Sequence, residues 1–336
     1  MLEETPENQT NEDERIKLDK IVKTLFELSP QAIIGSINEF FNRNYKPEEV
    51  SIEILSNNFL RAEFNFDEID ADILLSINKV KYHIEIQTLN DTKMQIRIFE
   101  YGLYIGKGNA YLDEDEVMNI HIPQQAVIFL EENKNIKNQK VRIIYPNGES
   151  IMYEIPTIRL WQYSSNELID KQMYNLLPLI IFKYRKKLQS IIKSKRNAIF
   201  KEQQISQLTE GLKNTIKELN MDLKDLIDNE TISDNDIHGI LLAITNLTEY
   251  LNHNFIKEEN LNVEVIKMTK TLYDPEIEKK GIEKGIEKGI ERGIEIGLER
   301  GKIELLYKRF KLSIPEIAEE LDISIEHVTE IVKSFN

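Results

Sequence analysis

The sequence predicts an α/β fold, with a mixed sheet flanked by helices, followed by an all-helical C-terminal region that includes a glycine-repeat helix. Three observations predict it. Residues Ile69 to Gln87 read as a hairpin whose two arms alternate between apolar and polar side chains. Strand-like and helix-like stretches then interleave up to about residue 165, the order that a sheet with flanking helices produces. Beyond Ser164 only helical patterns remain, and glycine recurs at 281, 285, 289, 293, 297 and 301.

In chain order, residues 1–12 are polar and are expected to form a disordered tail. Two helices follow at 13–28 and 30–44, the first with Ile16, Leu18, Ile21, Leu25 and Phe26 as its apolar residues, the second opening on Pro30. Residues 50–87 are strand-rich, and a helix is expected at 91–106. Strands resume at Gln125–Leu130, Lys140–Tyr145 and Ser150–Ile155, the last two joined across Pro146-Asn147-Gly148-Glu149 as a hairpin. A core domain is therefore expected over 13–165. Helices including Lys171–Lys193 and Asp234–His253 fill a region 166–273, the glycine repeat occupies 274–311, and 312–336 forms the end of the chain.

The arms of the first hairpin, IDADILLSI and VKYHIEIQ, meet at Asn78-Lys79. With that turn, the numbers of facing residues sum to 157, so Asp72 faces Glu85 and Asp70 faces Gln87. One face gathers Ile69, Ala71, Ile73, Leu75, Ile77, Val80, Tyr82, Ile84 and Ile86; the other gathers Asp70, Asp72, Leu74, Ser76, Lys81, His83, Glu85 and Gln87. Facing carboxylates have β-carbons about 5 Å apart, and their like charges repel. A hard divalent cation relieves that repulsion, since Mg2+ takes one or two carboxylates and keeps waters. The plain alternative is the solvent face of an amphipathic sheet, where acids are ordinary.

Asp72, twelve intervening residues and then Glu85-Ile86-Gln87 resemble the core motif of the PD-(D/E)XK nucleases, with glutamine in place of the final lysine. The "ADILL" strand followed by an E-x-Q strand is similar to the Rpn-like family of recombination-promoting nucleases and transposase relatives. Arg97 and Tyr101, one helical turn apart in DTKMQIRIFEYG, resemble that family's Arg-x-x-x-Tyr helix. The resemblance covers roughly residues 15–185, and the glycine-periodic tail is also typical of the family. It implies a restriction-endonuclease-like sheet, with Asp72 and Glu85 holding Mg2+ (or Mn2+ or Ca2+) and Gln87 placing the attacking water. An acid from an early helix, Glu27 or Glu39, is implied as an auxiliary ligand. The glutamine carries no charge, so Lys81 on the same face is a candidate for the missing cation, and Arg97 for a phosphate contact. Tyr101 reads as a packing residue with a bonded hydroxyl, and His83 as a hydrogen-bonded neighbour more than a ligand.

The 336 residues contain no cysteine, which excludes disulfides, thiolate metal sites and cysteine nucleophiles. No apolar run approaches the ~20 residues of a membrane span, and the opening MLEETPENQTNEDER is unlike a signal peptide. A soluble, cytoplasmic protein is expected. The formal charge is −15, from 43 basic and 58 acidic residues, yet Lys171–Lys201 holds no acid and nine bases. Those bases include Arg185, Lys186, Lys187 and Lys195. The stretch is either a solvated face or a phosphate-contacting stripe, with Lys186, Lys187 and Lys195 as the candidates for DNA.

Each glycine of the repeat costs a helix about 1 kcal/mol relative to alanine. The repeat should therefore fold only where a second chain or the core packs on the ridge of Ile282, Ile286, Ile290, Ile294 and Leu298; a homo-oligomer through the C-terminal helices is expected, and the alternative is an exposed, neutral repeat. Ser313 and Glu316 form a capping box with Pro315 in the first turn. The final two helices resemble a helix-turn-helix in packing positions, with a turn at Asp322-Ile323-Ser324, but Glu326 and Glu330 are poor base readers. Together these features are expected of a metal-dependent DNA endonuclease linked to recombination or transposition. The rival is a catalytically inactive, transposon-derived binding or assembly protein, and an occluded site would favour it.

Overall fold

The computed structural model describes residues 20–55, 73–88, 93–133, 135–270, 297–298, 300–321 and 323–333. They fall into two compact units, one up to Tyr273 and one from Asp274 onward.

The first unit is mixed α/β. Residues 20–25 are helical, and helix α1 (Pro30–Phe41) follows with proline in its first turn. Strands β1 (Ile52–Ile54), β2 (Ile73–Ile77) and β3 (Val80–Gln87) precede helix α2 (Met94–Lys107). A small ribbon of β4 (Tyr111–Leu112) and β5 (Met118–Asn119) leads to β6 (Gln124–Phe129). The hairpin β7 (Gln139–Ile144) and β8 (Ser150–Ile155) precedes β9 (Thr157–Arg159). The main sheet has five strands in the order β1-β2-β3-β6-β9. The first two pairings are antiparallel and the last two parallel.

The β2–β3 turn falls at Asn78-Lys79, both with left-handed φ (48° and 72°), the signature of a two-residue hairpin whose twist matches its strands. The five described pairs, from Ile73↔Ile84 to Ile77↔Val80, all keep the expected register. The pair expected between Asp72 and Glu85 lies outside the described residues, as do Ile69, Asp70 and Ala71.

Both faces of the sheet are covered. Ile73, Leu75, Ile77, Tyr82, Ile84, Ala126 and Ile128 share one core with α1 and the helices after residue 165. On the opposite face, Met94 and Ile98 of α2 pack on Val127 and Phe129. From Ala126 to Phe129, β6 is accordingly apolar on both sides, as befits a central strand between parallel neighbours. The crossover from β3 to β6 runs through α2, which supplies the length a parallel connection needs. Among the described residues on the polar side of the β2–β3 hairpin, Leu74, His83 and Glu85 are buried, so at those positions the solvent-face alternative does not hold.

The end of the strands near residue 160 does not end the core, because the following helices complete it. They are α3 (Ser165–Asp170), a 3-10 stretch Tyr174–Phe182, α4 (Lys183–Lys193), α5 (Ala198–Asp228), α6 (Asp234–Leu251) and α7 (Leu261–Lys270). The single helix expected over Lys171–Lys193 is broken. Pro178 lacks the N–H that an α-helix interior requires, and the buried run around it adopts the tighter 3-10 geometry.

In the second unit, helical residues end in a π-type turn, Leu305–Arg309, before α8 (Ile314–Leu321) and α9 (Ile325–Lys333). Ile303, Ile317, Ala318, Val328 and Val332 form its core. The Glu316 carboxylate accepts from the Ser313 N–H at 2.8 Å, one half of the capping box expected there, and from the Ser313 hydroxyl at 2.6 Å. Glycines 281, 285, 289 and 293, the ridge from Ile282 to Ile294, and the 1–12 tail lie outside the described residues. Gly297 and Gly301 have open space where a β-carbon would sit, and Leu298 is exposed.

Candidate functional site

Glu85 sits near the end of β3, facing α2, and is 2% exposed. Two residues earlier on the same face lies His83, fully buried, whose Nε2 is 2.9 Å from Glu85 Oε1. Gln125, on the neighbouring β6, completes the geometry. Its amide nitrogen donates to the Ile98 carbonyl at 2.6 Å and lies 2.8 Å from His83 Nδ1. A carbonyl can only accept, so the nitrogen must face Ile98 and its second hydrogen goes to Nδ1. That makes Nδ1 the acceptor and Nε2 the protonated atom of His83, which donates to Glu85. The Gln125 carbonyl oxygen accepts from the Tyr153 hydroxyl of β8. Four side chains from three strands thus form one directional chain, Tyr153 to Gln125 to His83 to Glu85.

Helix α2 must come close for this. A β-carbon at Gly102 would lie 2.4 Å from Gln125 Oε1, so any larger residue would push the helix off the sheet. Phe99 packs edge-on against Tyr153 at 5.6 Å and Tyr101 lies 5.8 Å from the His83 ring. Burial pushes the Tyr153 hydroxyl pKa up to about 12, so it remains a donor at neutral pH.

The other expected residues are placed as follows. Arg97 Nη2 stands 3.9 Å from Glu85 Oε2, beyond hydrogen-bond length. Gln87 is half-buried at the strand end on the Glu85 side. Lys81 does not substitute for the absent lysine: it is four residues from Glu85 along β3, roughly 13 Å, at the turn end of the hairpin. There burial lowers its pKa while Glu53 opposes the shift. Glu39 is on α1, across the sheet from Glu85, and bonds Lys171 at 2.7 Å. Glu27 is exposed in the turn before α1. Neither brings its carboxylate to Glu85 through any described contact.

The basic stripe divides. Arg185 is buried, bonded to Glu131 at 2.7 Å and to the Tyr250 hydroxyl at 2.8 Å, so it is an internal ion pair and not a phosphate contact. Burial works against its charge, but Glu131 and Tyr250 outweigh that and raise its pKa. Lys186 and Lys187 are exposed beside a cleft, and Lys195 is exposed beyond the end of α4, outside that cleft.

Among the described residues, no three of His, Asp and Glu come together as metal ligands. Glu85 and Gln87 offer oxygen donors on one side of β3, a set suited to a hard cation with retained waters and not to a soft one. They fit Mg2+ if an acid at position 72 completes the set. Among the described residues, no helix is long and apolar enough to cross a membrane.

Sequence reasoning missed Gln125, Tyr153 and Gly102. The available signal was a polar residue inside the apolar strand QQAVIF, facing the same side as His83. Comparison with protein-family models, with curated proteins and with solved structures yields no match.

Proposed function

We propose that this chain is a metal-dependent DNA endonuclease, with Asp72 and Glu85 as ligands of Mg2+ or Mn2+, Gln87 positioning water and Arg97 near the scissile phosphate. One observation carries the reading. Glu85 is a buried carboxylate at the carboxyl end of a strand that pairs in parallel with β6, with its Oε1 fixed by His83 and its Oε2 turned toward Arg97. The hairpin register from which an Asp72–Glu85 pair is expected is kept by every described pair. A cation held there would lower the pKa of a bound water and stabilise charge on the phosphoryl oxygens. Tyr153, Gln125 and His83 would keep the Glu85 carboxylate in one orientation, an arrangement that improves a metal site by fixing its ligand. Assembly through the C-terminal helices belongs to the same proposal.

A second reading has its own observation. Glu85 is 2% exposed, and occlusion favours a binding or assembly protein that no longer cleaves DNA. A supercoiled-plasmid nicking assay separates them: nicking that requires Mg2+ or Mn2+ and stops with EDTA supports the enzyme, and persistent supercoil at all metal concentrations supports the second reading.

A further inference from the structure

A cleft of about 820 Å3 opens beyond the carboxyl ends of β6 and β9, within the range of about 300–1,000 Å3 typical of small-ligand sites. Its position is set by the sheet. The Leu130 N–H bonds the Gln87 carbonyl at 2.9 Å, and the next residue, Glu131, forms the cleft wall. The cleft therefore begins where the strand bearing Glu85 and Gln87 ends, the region where ligands commonly bind in open α/β sheets.

Its chemistry is one-sided. Lys183, Lys186 and Lys187 line it from the first turns of α4, a helix without an acid. Glu131 adds no net charge, because Arg185 is bonded to it. Glu132 is the other acid in the wall, and its backbone carbonyl receives the Lys186 ammonium. Burial lowers the Lys183 pKa, with Glu218 opposing and Lys187 reinforcing the shift. Trp161 contributes the aromatic wall.

We propose that this cleft binds an unstacked nucleotide of single-stranded DNA, with the base against Trp161 and phosphates on Lys183, Lys186 and Lys187. Aromatic stacking with a cationic track is how single strands are held without sequence preference, whereas a duplex keeps its bases stacked away from such a surface. The inference rests on the nuclease reading for the identity of the polymer; the anionic and aromatic character of the ligand follows from the cleft itself.

Trp161 is the only tryptophan in the chain, so intrinsic fluorescence reports on ligands that reach it, and Lys186 and Lys187 distinguish this cleft from the neighbouring cavity that Trp161 also lines. The full chain is titrated with a short oligothymidylate in EDTA, at several salt concentrations. Saturable quenching is expected. Replacing Lys183, Lys186 and Lys187 together by alanine should raise Kd at least about tenfold and reduce the log–log salt slope by about two, at roughly 0.7 per phosphate contact on single strands. The charge-matched control, Lys193→Ala with Arg196→Ala and Lys201→Ala, should leave Kd within about twofold. If the triple variant fails to fold, Lys187→Glu alone should shift Kd in the same direction. Absent quenching, equal loss in the control, or tighter binding of duplex than of single strand would each overturn the cleft assignment. Quenching that follows the pattern while plasmid nicking is absent sustains the cleft and removes only the nuclease reading.

Discussion

Nε2 of His83 stands 2.9 Å from Oε1 of Glu85, with both side chains buried. His83 cannot turn away from this contact without also leaving Gln125, which is bonded to Ile98 and to Tyr153. Glu85 is consequently fixed from behind, by a network anchored in β6, β8 and α2. His83→Ala should cost about 1–3 kcal/mol, the price of leaving buried polar groups unpaired. Urea unfolding measures this; a loss under about 0.5 kcal/mol would show that the network is not intact in solution.

Gly102 and the repeat glycines should respond oppositely to alanine. Gly102→Ala places a β-carbon 2.4 Å from Gln125 Oε1 and 2.9 Å from Ile122 Cγ2, so it should destabilise the first unit by about 1–3 kcal/mol through overpacking. Gly297→Ala and Gly301→Ala enter open space and should each favour helix by about 1 kcal/mol. If those glycines seat a second copy, the same pair of changes should lower the mass seen by light scattering. Unchanged mass with a higher melting temperature would remove the repeat from the assembly proposal.

Arg185 and Glu131 form a buried pair, and removing one partner strands the other. Arg185→Leu should cost about 3–5 kcal/mol, and adding Glu131→Leu should recover much of it. Thermal unfolding of the two variants checks the order; a single variant no less stable than the double would contradict the pairing.

Tyr153 gives a pH dependence. Burial raises its folded pKa to about 12, above the ordinary value of 10.0, so the neutral hydroxyl is favoured in the fold. Its contribution is complete below pH 10 and is lost as the pH rises from 10 toward 12. Denaturant midpoints across that range should fall less steeply for Tyr153→Phe than for the parent chain, whose other buried tyrosines contribute the remaining slope; identical slopes would place Tyr153 in solvent.

The hairpin around Asn78-Lys79 was legible because strand periodicity and turn chemistry agree there, and its register follows from both. The Pro146–Glu149 hairpin was legible for the same reason. What covers the polar side of the first hairpin was not legible. That depends on α2 lying over β6, a contact between segments distant in sequence, which local patterns do not encode. The same limit applied to Arg185, which reads as one base among nine but is turned inward by Glu131, and to Pro178, whose apolar surroundings resemble helix until the missing N–H is counted.

Plasmid nicking by single variants is the sharpest test of the proposal that Asp72 and Glu85 hold a metal for phosphodiester cleavage. Asp72→Ala and Glu85→Ala should each abolish Mg2+-dependent nicking while circular dichroism and the Trp161 emission stay those of the folded chain, and Asp70→Ala should be affected less. Nicking unchanged in both Asp72→Ala and Glu85→Ala would rule these carboxylates out as the metal ligands.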